Sequence, residues 1–178
     1  MDYLFYRIKN KCDWRTYENS NFWYSCKWKT TLSRGLSLKY NIPCYEGDSI
    51  AWGGEGEERY KRSDYEQLNR ILEIDKKGHW IIEGTYRESQ KCLFDMADKI
   101  IFLDTPLHIR RIRIITRFLK QRFGIEKCNY NPTFKMLKNM FKWTNDFEQK
   151  REKYENILLC YEDKLIRIKN IKELNEKL

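Results

Sequence analysis

The sequence predicts an α/β fold, a parallel sheet covered by helices on both faces. Three observations carry that prediction. Apolar runs of strand length alternate with helix-length periodic segments. Three of those runs close on a carboxylate, Asp48, Glu83 and Asp104, at the strand ends where such folds bind ligands. The stretch from Trp23 to Leu32 carries the spacing of a phosphate-binding loop ahead of a helix.

Taken in order, Leu32 to Tyr40 form a short amphipathic helix, stopped by Asn41-Ile42-Pro43. Pro43 to Asp48 read as a short strand with an acidic end, and Trp52 to Gly56 as a glycine-rich loop. Ser63-Asp64-Tyr65-Glu66 has the form of a capping box and opens a helix to about Lys76, closed by Gly78. His79 to Gly84 is a buried strand. A helix around Arg87 to Met96 precedes another apolar strand, from Asp98 to about Asp104. A long basic helix runs from about Leu107 to Phe123 and stops at Gly124. After a loop broken by Asn131-Pro132, helical periodicity resumes from Thr133 to Leu159. Lys164 to Ile168 is a last strand and Ile171 to Leu178 a last short helix.

Composition narrows the function classes. A chain of 178 residues with 41% hydrophobic and 15% aromatic residues folds rather than staying disordered. No apolar run approaches the roughly 18 residues of a membrane span, and the first residues are too charged for a secretory signal. Six cysteines at irregular spacing and two histidines argue against a zinc site or a disulfide framework. Free thiols, a cytoplasmic location and no membrane partner are the expectation. The net charge of +9 is concentrated in residues 110–151, which hold twelve Lys/Arg and three Asp/Glu. Such a block suits an anionic partner, either nucleotide phosphates or nucleic acid.

The loop itself departs from its pattern. In G-x-x-x-x-G-K-[ST] the glycines let backbone N–H groups close around phosphate oxygens. Here Trp23 and Trp28 occupy the glycine positions, while Lys29, Thr30 and Thr31 keep theirs. The codons supply an explanation. Trp is TGG, so a one-base shift joins GG to the next codon, and both tryptophans become glycine whatever codons encode Tyr24 and Lys29. With A/T-rich codons, Glu18 to Lys29 then reads K-I-A-I-F-G-I-V-V-N-G-K, an apolar strand entering a P-loop. Tyr17 supplies an ATG, and one extra A at Lys29-Thr30 restores the observed frame. Residues 1–28 are therefore expected to be a leader read out of frame, with the intended protein starting near position 18. Residues 29–178 are expected to form a kinase-like domain with a basic lid at about 107–132. The sheet should lack a well-formed first strand, or fill its place with an improvised one such as Tyr3 to Ile8. Trp14, Trp23 or Trp28 should be partly exposed.

The residues downstream resemble a family. Lys29-Thr30-Thr31-Leu32, N-I-P-C-Y-E-G-D-S-I-A-W (41–52), H-W-I-I-E-G-T-Y-R (79–87), D-K-I-I-F-L-D-T-P (98–106) and the arginine-rich helix look like the adenylate-kinase-like P-loop proteins known as DNA topology modulation proteins. The resemblance covers about residues 28–178. It implies a five-stranded parallel P-loop sheet flanked by helices, with the first strand and loop degraded here. It also implies ATP-dependent phosphoryl transfer to a nucleotide or other small molecule, with Mg²⁺. Carried over, Lys29 would bridge the β- and γ-phosphates, Thr30 would hold Mg²⁺ and Thr31 would contact the α-phosphate side. Asp48 would orient or deprotonate the acceptor hydroxyl, and Glu83 would sit by the metal. Arg87 would bind a substrate phosphate, and Arg113 and Arg117 would close as lid arginines on the transferring group.

Lys29, Arg87, Arg113 and Arg117 are thus expected to converge on one cleft with Asp48 on the opposite wall. Asp104 is read as a turn or cap. Trp52, Trp80 and Trp143 are read as core or pocket walls. Two rival readings stand beside the kinase: a nucleic-acid-associated regulator resting on the basic segment, and an inactive remnant. The sequence shows no helix-turn-helix and no aromatic-studded strand motif, so nucleic acid is the less favoured partner. ATP binding by the chain as written is expected to be impaired, and the oligomeric state is open.

Overall fold

Strand propensity begins at once, because Tyr3-Leu4-Phe5-Tyr6 is a run of aromatic and apolar residues. The computed structural model describes residues 2–7, 28–54, 58–126, 132–170 and 173–174. In it Asp2–Arg7 is strand β1. Helix α1 (Trp28–Tyr40) follows, then strand β2 (Cys44–Glu46) and the short helix α2 (Gly47–Ala51). Strands β3 (Trp52–Gly53) and β4 (Tyr60–Lys61) pair as a small hairpin before helix α3 (Asp64–Lys76). Strand β5 (Trp80–Thr85), a 3₁₀ turn (Glu88–Gln90), helix α4 (Cys92–Met96) and strand β6 (Lys99–Leu103) come next. Helices α5 (Leu107–Arg122), α6 (Phe134–Gln149) and α7 (Arg151–Leu159) precede the last strand, β7 (Leu165–Ile168).

The chain divides into two compact units, one of the described residues up to Asp104 and from Asp163 onward, the other of Thr105–Glu162. The first unit holds a five-stranded sheet in the order β2-β5-β1-β6-β7. β2 lies parallel to β5, and β6 parallel to β7. β1 runs antiparallel to both β5 and β6. The strands around Tyr45, Ile81, Phe102 and Ile166 therefore run in one direction, as expected. The all-parallel sheet does not hold, because the central strand is reversed. A strand between two partners satisfies their N–H and C=O rows in either direction, so pairing alone does not forbid the reversal. Phe5 fixes its register, buried opposite Ile82 and Ile100 with its ring edge-on to Phe94 at 4.8 Å. The improvised strand expected near Tyr3 to Ile8 corresponds to β1. Trp14 and Trp23 lie outside the described residues, as does the side chain of Trp28.

Continuous apolar runs belong to strands covered on both faces. Ile81, Ile82, Ile100, Ile101 and Phe102 are buried accordingly, while Leu103, at the strand end, is half-buried. Leu32 and Leu36 of α1 pack with Ile42, Ile81, Ile101, Ile168 and Leu174 in one cluster. On α3, Gln67, Ile71 and Ile74 recur at helical spacing and are its buried residues. Asp75, near the end of α3, accepts from the Trp80 indole at 2.9 Å and pairs with Arg7 at 2.8 Å, tying the helix to β5 and β1.

The capping box forms as read. The Glu66 backbone N–H donates to the Ser63 hydroxyl, and the Ser63 N–H donates to Glu66 Oε2 at 2.8 Å. The Ser63 backbone N–H and then its hydroxyl, which donates to Glu66 Oε2 at 2.8 Å, hold the Glu66 carboxyl below its usual range. The benefit of the ionised carboxylate is therefore present at neutral pH and fades as acid brings the pH down through that lowered value. Ser63→Ala should cost about 1 kcal/mol in denaturant unfolding at pH 7, with a smaller difference in acid. At the far end Gly78 takes φ +103°, a left-handed conformation that releases the chain into β5.

Elsewhere the elements differ from expectation in detail. The helix expected over Arg87 to Met96 is a 3₁₀ turn followed by α4. The long periodic segment from Thr133 breaks at Lys150 into α6 and α7. Of the last helix, only 173–174 are described. Trp80 is fully buried, whereas Trp52 is half-buried beneath Arg59, 5.0 Å from its ring. Trp143 is an exposed residue of α6 and forms no wall. Asp104, read as a turn or cap, instead extends the sheet contact and holds an ion pair, and the cap of α5 is Pro106. Its backbone N–H donates to Ile168 O at 2.8 Å, and its carboxylate pairs with Arg167 at 3.2 Å. Among the described residues, Cys44, Cys92 and Cys160 are free thiols.

The second unit is helical and packs α5 on α6. Arg110 of α5 donates from Nε to Thr105 O at 2.9 Å, pairs with Glu148 of α6, and lies over the Phe147 ring. Phe118 and Phe134 meet at 5.3 Å.

Candidate functional site

The sheet brings together two of the three strand ends that the sequence marked with carboxylates, those of β2 and β5. In the parallel register of β2 and β5, Glu46 stands opposite Glu83. The strand expected to reach Asp48 ends at Glu46, so Asp48 moves into the first turn of α2. Arg87 follows β5 by two residues and caps the 3₁₀ turn. Its Nη2 donates to Asp48 Oδ1 at 2.5 Å, an ion pair across 39 residues of sequence. Asp48 was expected on the wall opposite Arg87, but the two are direct partners. The Arg87 side chain is mostly covered, and its Nε is buried without a partner. The Asp48 side chain is 63% exposed, so its outer oxygen faces solvent while the pair is held from the protein side.

What holds α2 in place is a buried polar network that sequence reasoning missed. Gln67 of α3 and Gln90 of the 3₁₀ turn are both buried. Gln67 Oε1 accepts from Ser89 Oγ at 2.9 Å and from Gln90 Nε2 at 3.2 Å. Gln90 Nε2 also donates to Gly47 O at 3.0 Å, and Gln67 Nε2 donates to Arg62 O at 2.9 Å. The far end of α2 is tied down by Arg62. Its Nη1 donates to Ser49 O at 2.7 Å, to Ile50 O at 3.1 Å and to Trp52 O, and its backbone N–H donates to Ala51 O. A guanidinium at the carbonyl end of a helix also suits its dipole. Gly47 permits the close approach beneath. A Cβ there would stand 3.1 Å from Gln90 Oε1 and 3.2 Å from Glu83 O. One signal was available, since Gln67 falls on the same helical stripe as Ile71 and Ile74. Gln67→Leu should destabilise by about 1–3 kcal/mol, because it strands the Ser89 hydroxyl and the Arg62 carbonyl. Thermal unfolding measures it.

Glu83 is buried within β5. Side chains alternate along a strand, so it shares the sheet face of Ile81, which packs against Leu32 and Leu36 of α1. Its charge reaches Cys44 on the neighbouring strand. Burial is the main cause that raises the Cys44 thiol pKa, the Ser33 hydrogen bond opposes it, and Glu83 and Glu46 add to the rise. Lys29, Thr30 and Thr31 lie in the first turn of α1, which covers this face, and their side chains lie outside the described residues. A carboxylate and a hydroxyl are the hard oxygen donors that Mg²⁺ takes. No cluster of three or more metal-ligating side chains occurs among the described residues.

Arg113 and Arg117 belong to α5 in the second unit. Arg113 Nη1 donates to Thr105 Oγ1 at 3.3 Å. Arg117 has its Nε buried without a partner. The structural anchor of that helix is Arg110, which sequence reasoning passed over in favour of its neighbours.

No family model matches the chain, and no solved structure matches it. The chain is similar to a uridine kinase of Staphylococcus haemolyticus (strain JCSC1435), with 27% identity over 100 residues. That match takes in 56% of this chain and 47% of the relative, so the chain spans about half the length of the curated relative it matches. The likeness is to a kinase by name. A link to DNA topology is not shown by it.

Proposed function

We propose that this chain is built as a P-loop phosphotransferase that moves the terminal phosphoryl group of ATP, with Mg²⁺, to a hydroxyl of a nucleoside, nucleotide or similarly sized molecule. The observation that carries the reading is the Asp48–Arg87 pair, held at 2.5 Å at the adjoining ends of β2 and β5. Phosphoryl transfer asks a protein for positioning and for cations around spread negative charge, with little covalent chemistry. Asp48 supplies an acceptor for the substrate hydroxyl and takes its proton as the new O–P bond forms and ADP departs. Arg87 orients that carboxylate and offers its guanidinium to an acceptor phosphate. Lys29, with the amides of the first turn of α1, would hold the donor phosphates, and Thr30 with Glu83 would hold the Mg²⁺. Arg113 and Arg117 would neutralise the equatorial oxygens of the transferring group. The similarity to a uridine kinase supports the class and puts pyrimidine nucleosides first among the acceptors to try.

The defect lies in the loop. We read residues 1–28 as out of frame, so that Trp23 and Trp28 stand where glycines belong. A screen of ATP turnover across nucleosides, nucleotides and small polyols tests both parts. A frame-restored chain should turn over ATP in the presence of one acceptor class, and the chain as written should be far slower. Absence of acceptor-dependent turnover in the restored chain would overturn the kinase reading. Equal rates in both chains would overturn the frameshift.

A further inference from the structure

The basic helix α5 has a face that the phosphotransferase reading does not use. Ile112, Ile115, Leu119 and Phe123 are 58%, 45%, 45% and 74% exposed. They lie three, four and four residues apart, so the 3.6-residue period sets them in one stripe along the helix and its end. Ile125, in the turn beyond, is exposed as well. The charged residues of α5 are Arg110, Arg111, Arg113, Arg117, Lys120 and Arg122, all basic. By the same period Arg111 and Arg122 border the stripe on one side, and Lys120 and Arg113 on the other. Exposed apolar residues in line, edged on both sides by cations with no anion among them, need a partner both apolar and anionic.

We infer that this stripe lies on an anionic lipid surface, with Ile112, Ile115, Leu119 and Phe123 entering the headgroup boundary and the flanking Arg111, Lys120 and Arg122 reaching the lipid phosphates. Two features favour a bilayer over other anionic partners. The rest of α5 is engaged. Phe118 and Gln121 are buried and Arg110 pairs with Glu148 of α6, while the exposed Arg111 on the border spends only an Nη2 bond on α6, to Asn145 Oδ1 at 3.1 Å. A partner that wraps a helix in a groove has no room, whereas a flat one does. Nucleic acid would place phosphates along the centre of the contact, and here the centre is isoleucine, leucine and phenylalanine while the cations stand at the edges. Long basic side chains at the border of an apolar face are suited to reach outward to headgroups. No helix among the described residues is long and apolar enough to cross a membrane, so the helix lies on the surface and does not span it. The expectation of no membrane partner rested on the missing span alone.

The test sediments the full chain with vesicles of phosphatidylcholine alone and of phosphatidylcholine mixed with phosphatidylglycerol. Binding should be at least about ten-fold tighter to the mixed vesicles and should weaken about ten-fold as salt is raised. The double variant Ile115→Gln, Leu119→Gln keeps the charge and should bind at least about ten-fold more weakly, with an unchanged thermal midpoint. If that variant fails to fold, Arg111→Gln with Arg122→Gln reads the charged border, and undiminished binding by it overturns the proposal. So does the absence of vesicle binding, or equal binding by the glutamine variant, which would mean attraction by charge alone. Retention by duplex DNA in preference to vesicles would assign the face to nucleic acid and overturn it too. Ile115 and Leu119 are outside the proposed catalytic groups, so the outcome is independent of whether the chain transfers phosphate.

Discussion

Phe5→Ala should lower the unfolding free energy by about 3–5 kcal/mol, the range for truncating a buried aromatic side chain. Phe5 is 4% exposed and meets Phe94 edge-on, in a strand that hydrogen-bonds to β5 on one side and β6 on the other. Leu38→Ala, at a position of α1 that is 76% exposed, is the control and should change stability by less than about 0.5 kcal/mol. Removing residues 2–7 should be worse than the point change. It would leave β5 and β6 each with a bare edge in the middle of the sheet, a template for aggregation. Urea unfolding of the three proteins gives the comparison. A cost below about 1 kcal/mol for Phe5→Ala would mean that β1 does not fill the centre.

Much of this fold was legible because its strands are covered on both faces. Trp80 to Ile82 and Ile100 to Phe102 are unbroken apolar runs, which few other environments select, and Ser63 with Glu66 announced the start of α3. The direction of β1 was not legible. Pairing between two partners is possible either way, and nothing in Asp2–Arg7 encodes direction. Asp48 was found from its position near a strand end and Arg87 from the family resemblance, but their mutual contact was not foreseen. It depends on α2 beginning one residue after β2 and on Gly47 letting the backbone close on Gly84. The supporting glutamines were missed because a lone Gln carries no chemistry of its own, and its value here is as a donor and acceptor in a buried place. The exposed stripe of α5 was hidden for the opposite reason. Ile112, Ile115 and Leu119 look like core residues of an amphipathic helix until the packing shows that Phe118 faces inward instead.

The arginines proposed above as a lid give the second large effect. In a frame-restored chain Arg117→Ala should reduce turnover by about 10²–10³-fold, the size expected for a cation aimed at charge that develops in the transition state. The same change should leave stability within about 0.5 kcal/mol. Arg117 Nε is buried without a hydrogen-bond partner, so truncation removes an unsatisfied donor and not a stabilising bond there. A rate loss without a stability loss separates a clamp from a scaffold residue. Arg110→Ala is the contrast, because Arg110 pairs with Glu148 and lies over Phe147. Its loss should lower the melting temperature, with any fall in rate following the fall in folded protein. In the chain as written, Arg117→Ala should change little, since Trp23 and Trp28 occupy the positions from which glycines would seat the γ-phosphate. Turnover and melting temperature of each variant in both backgrounds supply the test. Equal turnover with and without Arg117 in the restored chain would remove the lid from the mechanism and revive the nucleic-acid reading of the basic segment.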